Sequence, residues 1–371
     1  MSPLPPPLAM LAELTHRCPL RCPYCSNPVA LVRSGDELST QEWVELLRQA
    51  SELGVLQVHL SGGEPTARKD LESIIAAARD FGIYTNLITS AVLLDQKRID
   101  ALAAAGLDHV QISFQDSQPA NADRIGGYAG GHAKKREVAG WVRAAGLPLT
   151  ANLVVHRQNL DHLGSMIDLA VELDVRRIEV AHVQYYGWGL ANRAALVPTR
   201  AQVTAADAVV QEARRRLEGR IVIDYVVPDY YAKRPKPCMG GWARQFLTVT
   251  PMGKVLPCHA ADSIPGLVFD SIRERRLADI WENSEAFNRF RGTEWMPELC
   301  RSCDRREIDW GGCRCQAFAL AGDAAATDPA CGLSPLHATI AALAEAESEA
   351  GDDRFTYRSY ASMTEAALTG R

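Results

Sequence analysis

Short β-rich runs alternate with longer segments of helical period from about residue 9 to residue 185. The runs predict strands at Ala9–Leu14, Leu56–Leu60, Tyr84–Thr89, His109–Phe114, Leu149–Val155 and Arg177–Val183. The segments between them predict helices at Thr40–Leu53, Asp70–Phe81, Asp95–Ala105, Ala133–Ala145 and Leu160–Leu173. Strict alternation implies parallel strands joined by right-handed crossovers. The pattern therefore predicts an α/β fold, an incomplete (β/α)6 barrel.

The pattern weakens in the second half of the chain. A helix near Thr199–Leu217 and a strand near Ile221–Val226 are expected to lead out of the barrel. From Pro235 onward, abundant Cys, Gly, Pro and Trp with weak periodicity predict a region organised around metal instead of an apolar core. An alanine-rich helix and a polar tail follow Leu336. We expect four parts: a flexible N-terminal tail (1–8), the barrel (9–227), a cysteine-rich domain (228–335) and a C-terminal helix and tail (336–371).

Charge and hydropathy narrow the possible partners and the compartment. The net charge of -5 comes from interspersed signs without a basic face, which argues against nucleic acid and acidic membrane surfaces as partners. No apolar run reaches the roughly 18 residues of a membrane helix, and the proline-rich N-terminus lacks the pattern of a signal peptide. We therefore expect a cytoplasmic protein, in whose reducing environment the 10 cysteines are metal-binding or catalytic candidates.

The segment HRCPLRCPYCSNP after the first predicted strand contains Cys18, Cys22 and Cys25. Their spacing would suit one face of a buried helix, but Cys18 and Cys22 each precede a proline, which disfavours helical backbone. The segment is therefore predicted to be a loop on which three sulfurs converge. Three alternatives remain open: a dithiol redox pair, a zinc site with His16 as the fourth ligand, and an iron–sulfur cluster with one iron free of protein ligands.

A glycine pair lies in the loop after the second predicted strand, in the sequence Ser61-Gly62-Gly63-Glu64-Pro65. The loops that follow the strands of a parallel barrel gather at one mouth, so this loop and the cysteine loop should meet. Glycine lets backbone approach a ligand because no Cβ intervenes. An ordinary turn is the alternative.

Together, CxxxCxxC after the first strand and GGEP after the second resemble the motifs of radical S-adenosylmethionine (SAM) enzymes. The resemblance implies that Cys18, Cys22 and Cys25 hold a 4Fe-4S cluster whose fourth iron is chelated by SAM. One electron from the cluster would cleave SAM to methionine and a 5'-deoxyadenosyl radical, which abstracts a hydrogen atom from the substrate. The residues implied to contact SAM are Gly62, Gly63, Glu64, Pro65, Ser113 and Asn152. Inside a barrel, Ser113 and Asn152 could instead satisfy polar neighbours.

The C-terminal cysteines resemble the SPASM extension of radical SAM enzymes, which carries two auxiliary iron–sulfur clusters, each of the 4Fe-4S or the 2Fe-2S type. The resemblance implies one cluster on Cys238, Cys258, Cys313 and Cys315, and a second on Cys300, Cys303, Asp309 and Cys331. Asp309 stands where the family has a cysteine, so a solvated or capping carboxylate is its alternative role. Zinc is the alternative for the whole set. The implied fold is a partial (β/α)6 TIM-like barrel of radical SAM type with a C-terminal Cys-rich SPASM domain.

Four long stretches also resemble the PqqE family of SPASM enzymes, which acts in pyrroloquinoline quinone (PQQ) biosynthesis: ELTHRCPLRCPYCSNP, VQYYGWGLANRAALVPT, FLTVTPMGKVLPCHAA and the segment from IWENSEAFNRF to DPAC. The resemblance implies a carbon–carbon bond between a glutamate and a tyrosine of the precursor peptide PqqA. It also implies PqqD as peptide chaperone and a flavodoxin-like electron donor. Another SPASM peptide maturase, thioether-forming or sulfatase-activating, is the alternative. No general base is identified; Tyr185, Tyr186 and Trp188 either line a peptide site or pack, and His59 is expected to be a satisfied core histidine.

Overall fold

Nine strands form one sheet in the order β7-β6-β5-β4-β3-β2-β1-β8-β9 in the computed structural model, which describes residues 4–349, 351 and 353–369. The strands are β1 Ala9–Thr15, β2 Gln57–Gly62, β3 Tyr84–Thr89, β4 His109–Phe114, β5 Leu149–Val155, β6 Arg177–His182, β7 Val222–Val226, β8 Phe246–Val249 and β9 Val255–Leu256. Neighbouring strands from β7 through β8 pair in parallel, and only β9 is antiparallel to its neighbour in this described sheet. The predicted α/β barrel is confirmed.

Helices connect the parallel strands and continue into the C-terminal half. In the barrel they are α1 Thr40–Leu53, α2 Leu71–Asp80, α3 Gln96–Ala105, α4 Pro119–Gly126, α5 Gly131–Ala144, α6 Leu163–Glu172, α7 Gly187–Ala191, α8 Arg193–Leu196 and α9 Arg200–Arg216. Farther along they are α10 Leu277–Asn283, α11 Glu285–Asn288, α12 Glu298–Arg301, α13 Arg306–Asp309, α14 Arg314–Ala321, α15 His337–Glu349 and α16 Met363–Thr369. None of the helices in the described ranges has the length and apolarity needed to cross a bilayer.

The sheet is wider than the six predicted strands. The strand expected to lead out of the barrel is β7, which instead pairs in parallel with β6. At the other edge, β8 from the cysteine-rich region pairs in parallel with β1, from Ala9 opposite Phe246 to Ala12 opposite Val249. In the described sheet β7 and β8 belong to opposite halves and are not paired, so the barrel stays open.

One apolar core runs from the barrel into the cysteine-rich region. Trp242 packs edge-on against Phe290 at a centroid distance of 5.2 Å, and Trp281 packs against Phe287 at 5.8 Å. The expectation that this region lacks an apolar core is therefore wrong. Its aromatic residues are too widely spaced along the chain to give a periodic signal, and short helices such as α10 and α11 bring them together.

Both ends of the chain pack onto the barrel within the described ranges. The N-terminal tail was expected to be flexible, but its described part is hydrogen-bonded to the rest of the protein. Trp281 Nε1 donates to Pro5 O at 3.1 Å, and Leu8 N donates to Gln245 O at 2.8 Å. Residues 1–3 of that tail lie outside the described residues. The predicted C-terminal helix is α15, and the polar tail after it contains α16. Residues 350, 352, 370 and 371 of this predicted part lie outside the described residues.

Candidate active site

The cysteine loop, defined here as residues 16–33, leaves the C-terminal end of β1 and brings three thiols together. Cys18, Cys22 and Cys25 are unpaired, and each lies close enough to the others to affect thiol ionisation. Burial is the main cause that raises the pKa of Cys18 far above its ordinary value, with the charge of Glu64 adding to it. Burial likewise raises the pKa of Cys22 to about 11. Cys18 and Cys22 are therefore neutral thiols until a cation replaces their protons.

The surroundings of His16 bear on the zinc alternative. Its Nδ1 accepts the Val32 backbone N–H at 3.0 Å, and its Nε2 lies 3.8 Å from Glu13 Oε2. Nδ1 is thus occupied by a backbone donor, whereas Nε2 is buried without a hydrogen-bond partner. In the described ranges no three His, Cys, Asp or Glu side chains converge as ligands of a single ion. The ligands of a cluster bind different iron atoms, which is a wider arrangement than one zinc ion requires.

The glycine pair joins the second loop to the backbone that precedes Cys18. Gly62 has a φ of +111°, and a Cβ there would lie 2.5 Å from Thr15 O. A Cβ on Gly63 would meet Arg17 O and would lie 2.8 Å from the carbonyl carbons of His16 and Arg17. Two hydrogen bonds close this contact, from Gly63 N to Thr15 O at 2.6 Å and from Glu64 N to Arg17 O at 2.7 Å. The two glycines were expected to let the backbone approach a ligand, and in the structure they let it approach the cysteine loop. Contact of both glycines with SAM stays a prediction.

Glu64 is fully buried and its carboxylate is occupied by protein donors. Oε1 accepts hydrogen bonds from the hydroxyls of Thr66 at 2.6 Å and Thr89 at 2.7 Å. Oε2 accepts the Ser90 N–H at 2.7 Å and the Ser90 hydroxyl. Pro65 follows at the start of a 3-10 turn, Pro65–Ala67. The Glu64 side chain therefore ties the β2 loop to the end of β3. Contact of Glu64 and Pro65 with SAM stays a prediction.

Ser113, next to the end of β4, lies opposite Asn152 in the middle of β5. Asn152 Oδ1 is buried and has no hydrogen-bond partner in the described protein. The same holds for Nε2 of His156, which follows β5. Burial lowers the pKa of His156 to about 3, so its ring is neutral. Buried polar atoms without protein partners are rare, so these two atoms are candidates for contact with a bound polar molecule.

Lys135 is a buried cation that the sequence did not reveal. It lies on α5 in the charged run KKRE, yet only 2% of it is exposed. Its Nζ donates to Ser113 O at 2.8 Å and to Gln115 Oε1. Burial lowers its pKa to about 8, against the raising effect of Cys22, Cys18 and Glu64. The ammonium therefore lies in the electrostatic neighbourhood of the cysteine loop.

The C-terminal segment, defined here as residues 353–369, covers the cysteine loop. Arg358 N donates to Arg21 O at 3.1 Å, and Tyr360 Oη donates to Val32 O at 2.8 Å. Asn192 Nδ2 donates to Pro23 O at 3.0 Å and to Thr356 O at 2.9 Å, which links loop, barrel and segment. The sequence showed only a polar tail here, because nothing local indicates which distant surface such a tail covers.

A second group of four thiols lies in the cysteine-rich region. Cys238 and Cys315 each lie close enough to Cys258 and Cys313 to affect thiol ionisation. The structure thus brings together the four predicted ligands of the first auxiliary cluster. This arrangement provides four thiolates around one centre once their protons are lost.

The predicted ligands of the second auxiliary cluster line one small cavity: Cys300, Cys303, Asp309 and Cys331. Asp309 is only 8% exposed, which excludes the solvated carboxylate but not the capping role of the alternative interpretation. Its Oδ2 accepts from Arg305 Nε at 3.3 Å, and its Oδ1 accepts the Gly311 N–H at 3.3 Å. The structure therefore brings a carboxylate into the cavity that the three thiols share.

A cavity of about 550 Å³ lies between the cysteine loop and the four-thiol group. Residues that line it include Val29, Tyr185, Tyr186, Arg193, Tyr230 and Cys315. Tyr186 has Cys258, Cys313, Cys315 and Cys25 as electrostatic neighbours, so it lies within reach of both thiol groups. Trp188 does not line the cavity but packs in the core and donates from Nε1 to Pro28 O at 3.2 Å. The cavity is large enough for a pair of peptide side chains.

Residues 12–170 match the Radical SAM superfamily, and residues 238–304 match the iron–sulfur cluster-binding domain SPASM. Among solved structures, Streptococcus suis SuiB bound to precursor peptide SuiA superposes with a TM-score of 0.74 at 20% identity, covering 89% of this chain and 77% of that chain. Native anSMEcpe with bound AdoMet superposes with a TM-score of 0.62 at 15% identity, and the match covers 98% of this chain and 99% of that chain. These likenesses show the shared fold.

Similarity to relatives of known name extends over nearly the whole chain. A PqqA peptide cyclase from Rhodopseudomonas palustris is 64% identical over 359 residues, which is 96% of this chain and 95% of that protein. The PqqA peptide cyclase of Bradyrhizobium diazoefficiens is 63% identical over 359 residues, 96% of this chain and 94% of that protein. The chain belongs to the PqqA peptide cyclase family of radical SAM enzymes.

Proposed function

We propose that this chain forms a carbon–carbon bond between a glutamate and a tyrosine side chain of the peptide PqqA, a step of PQQ biosynthesis. The net change in the peptide is the loss of two hydrogen atoms. The observation that carries the proposal is the cavity of about 550 Å³, whose lining joins Val29 of the cysteine loop to Cys315 of the four-thiol group. Family membership across 96% of the chain supports the choice of reaction.

Three ligand sets follow from the thiol groups. The SAM-site 4Fe-4S cluster would be held by Cys18, Cys22 and Cys25. The first auxiliary cluster would be held by Cys238, Cys258, Cys313 and Cys315. The second auxiliary cluster would be held by Cys300, Cys303, Asp309 and Cys331. Bound there, the SAM-site cluster would supply one electron for cleavage of SAM, whose 5'-deoxyadenosyl fragment removes a hydrogen atom from the peptide. The proposed SAM contacts are Gly62, Gly63, Glu64, Pro65, Ser113 and Asn152. The unpartnered Asn152 Oδ1 supports the proposal.

The cavity lining suits the two reacting side chains. Tyr185 and Tyr230, whose ring centroids are 4.5 Å apart, offer an aromatic wall for the peptide tyrosine. Arg193 offers a guanidinium for the peptide glutamate, although it is paired with Glu347 at 2.8 Å in this structure. Tyr186 Oη is hydrogen-bonded to His259 Nε2, next to Cys258 in the chain.

The family resemblance is the basis for three further proposals. They are PqqD as the peptide chaperone, a flavodoxin-like protein as the electron donor, and a cytoplasmic location. The net charge of -5 supports the absence of a nucleic-acid partner. PqqA as substrate is supported by the name of the relatives.

The test is a mass measurement on the peptide. The reconstituted, reduced protein is incubated with SAM and PqqA, with and without PqqD. A product lighter by two hydrogens, with 5'-deoxyadenosine formed, supports the cross-link. Unchanged peptide mass with ample SAM cleavage would reject this substrate and favour another peptide maturase. Cys22→Ala is the matched control, which should abolish 5'-deoxyadenosine formation while the auxiliary clusters remain.

The cluster assignments are tested separately. Anaerobic electron paramagnetic resonance with and without SAM should show one cluster signal that changes when SAM is added. Zinc in place of iron, without acid-labile sulfide, would reject all three clusters. Asp309→Ala should alter the spectrum of only one auxiliary cluster, and an unaltered spectrum would remove Asp309 from its ligands.

A further inference from the structure

Arg358 of the C-terminal segment is buried at the base of the cysteine loop, with 4% of it exposed. Its Nη2 donates to His16 O at 2.5 Å and to Asn27 Oδ1 at 3.3 Å. His16 precedes Cys18 and Asn27 follows Cys25, so one guanidinium bridges the two sides of the three-cysteine motif. Asn27 Oδ1 also accepts from Cys25 Sγ at 3.4 Å. Arg358 thus acts on the loop from a position more than 300 residues away in the sequence.

The Arg358 guanidinium lies against the loop that carries the three thiols, because it contacts His16 O and Asn27 Oδ1, and Asn27 Oδ1 is itself hydrogen-bonded to Cys25 Sγ. No carboxylate is paired with Arg358 among the ion pairs of the described residues, and its Nε is buried without a hydrogen-bond partner. An unpaired buried cation is unfavourable unless negative charge lies nearby. Three thiolates on a cluster supply that charge.

We propose that Arg358 is a positioning residue for the SAM-site cluster: it clamps the cysteine loop and favours the reduced state of the cluster. A cluster with three thiolate ligands becomes more negative on reduction, so a fixed cation nearby raises its reduction potential. Lys135 provides a second cation, but it is bound to Ser113 O and Gln115 and does not bridge the loop. The inference depends on the proposed cluster at Cys18, Cys22 and Cys25.

Two substitutions separate the clamp from the charge. Arg358→Gln removes the cation and most donors, whereas Arg358→Lys keeps the cation on a shorter side chain and lacks the guanidinium Nη2 that donates to both His16 O and Asn27 Oδ1. Arg354→Gln is the matched control, because Arg354 is an exposed arginine of the same segment. Each protein is reconstituted anaerobically, and its SAM-site cluster is quantified by iron and sulfide content and by the signal that responds to SAM.

We expect Arg358→Gln to weaken retention of the SAM-site cluster by roughly 10-fold in a chelator competition. The cluster that remains should have a more negative midpoint potential in a redox titration. Arg358→Lys should also weaken retention but keep a potential close to that of the unchanged protein. Arg354→Gln should match the unchanged protein in both measurements.

The proposal is overturned if Arg358→Gln retains the cluster and its potential as the unchanged protein does. Equal effects of Arg354→Gln and Arg358→Gln would also overturn it. If Arg358→Gln loses the auxiliary clusters as well, this variant has unfolded. The test then depends on Arg358→Lys, which must retain the SAM-site cluster less well than the unchanged protein if the proposal is correct. Failure of the proposed function looks different, because the unchanged protein would then give no SAM-responsive signal and no 5'-deoxyadenosine.

Discussion

Replacing Gly63 by alanine tests whether the glycine pair holds the cysteine loop. The added Cβ would overlap Arg17 O and lie 2.8 Å from two backbone carbonyl carbons, which cannot move as a flexible side chain would. Relieving such overpacking costs roughly 1–3 kcal/mol, and loss of the two hydrogen bonds between the loops adds about 1 kcal/mol each. The expected destabilisation is therefore about 3–5 kcal/mol, a large part of the stability of a typical domain.

Gly140→Ala provides the control for the Gly63 experiment. Gly140 lies in α5, is exposed, and a Cβ there would meet nothing within 4 Å. Alanine at that position should stabilise the protein by about 0.5–1 kcal/mol because glycine disfavours helix. Urea unfolding of the metal-free proteins gives both differences. Iron analysis after reconstitution should then show that Gly63→Ala, and not Gly140→Ala, lacks the SAM-site cluster.

A result that refutes this reasoning is easily recognised. If Gly63→Ala unfolds at the same urea concentration as the unchanged protein, the backbone contact does not stabilise the loop. If it is destabilised but still holds a full SAM-site cluster and cleaves SAM, the contact is structural and does not position Cys18.

Three further changes follow from single contacts. Burial raises the pKa of Glu179, so the ionised carboxylate destabilises the folded protein at pH values above the pKa of the unfolded chain. Glu179→Gln should therefore stabilise the protein at pH 7.5, and this gain should be lost below about pH 4. Thermal unfolding at the two pH values measures the difference. Ser39 and Glu42 form the capping box of α1, so Ser39→Ala should cost about 1 kcal/mol in urea unfolding. Asn192→Ala removes the link between Pro23 O and the C-terminal segment and should make that segment cleavable by protease without unfolding the barrel.

Much of the barrel could be predicted because its elements carry local signals. The helix Thr40–Leu53 has the predicted bounds, since Ser39 caps its start and Gly54 ends it in the left-handed conformation. The strands Tyr84–Thr89 and Leu149–Val155 also have the predicted bounds. These signals depend only on neighbouring residues, so a single sequence contains them.

The missed features depend on contacts between distant residues. Lys135 and Arg358 are both in charged or polar runs, and such residues are usually solvated. Their burial follows from tertiary packing, which no local pattern encodes. The hydrogen bonds that Glu64 makes to Thr89 and Ser90 were not predicted for a related reason, because the motif does not indicate which distant residues its carboxylate contacts.

The pairing of β8 with β1 explains how the two thiol groups bordering the cavity keep a fixed relation. β1 leads into the cysteine loop, and β8 continues through β9 to Cys258 of the four-thiol group. Both groups are therefore attached to adjacent strands of one hydrogen-bonded ladder, from Ala9 opposite Phe246 to Ala12 opposite Val249. A shift of one residue in this register would turn every β8 side chain to the other face of the sheet. The separation between the proposed SAM-site cluster and the first auxiliary cluster is thus set by backbone pairing, which tolerates far less variation than contacts between mobile loops.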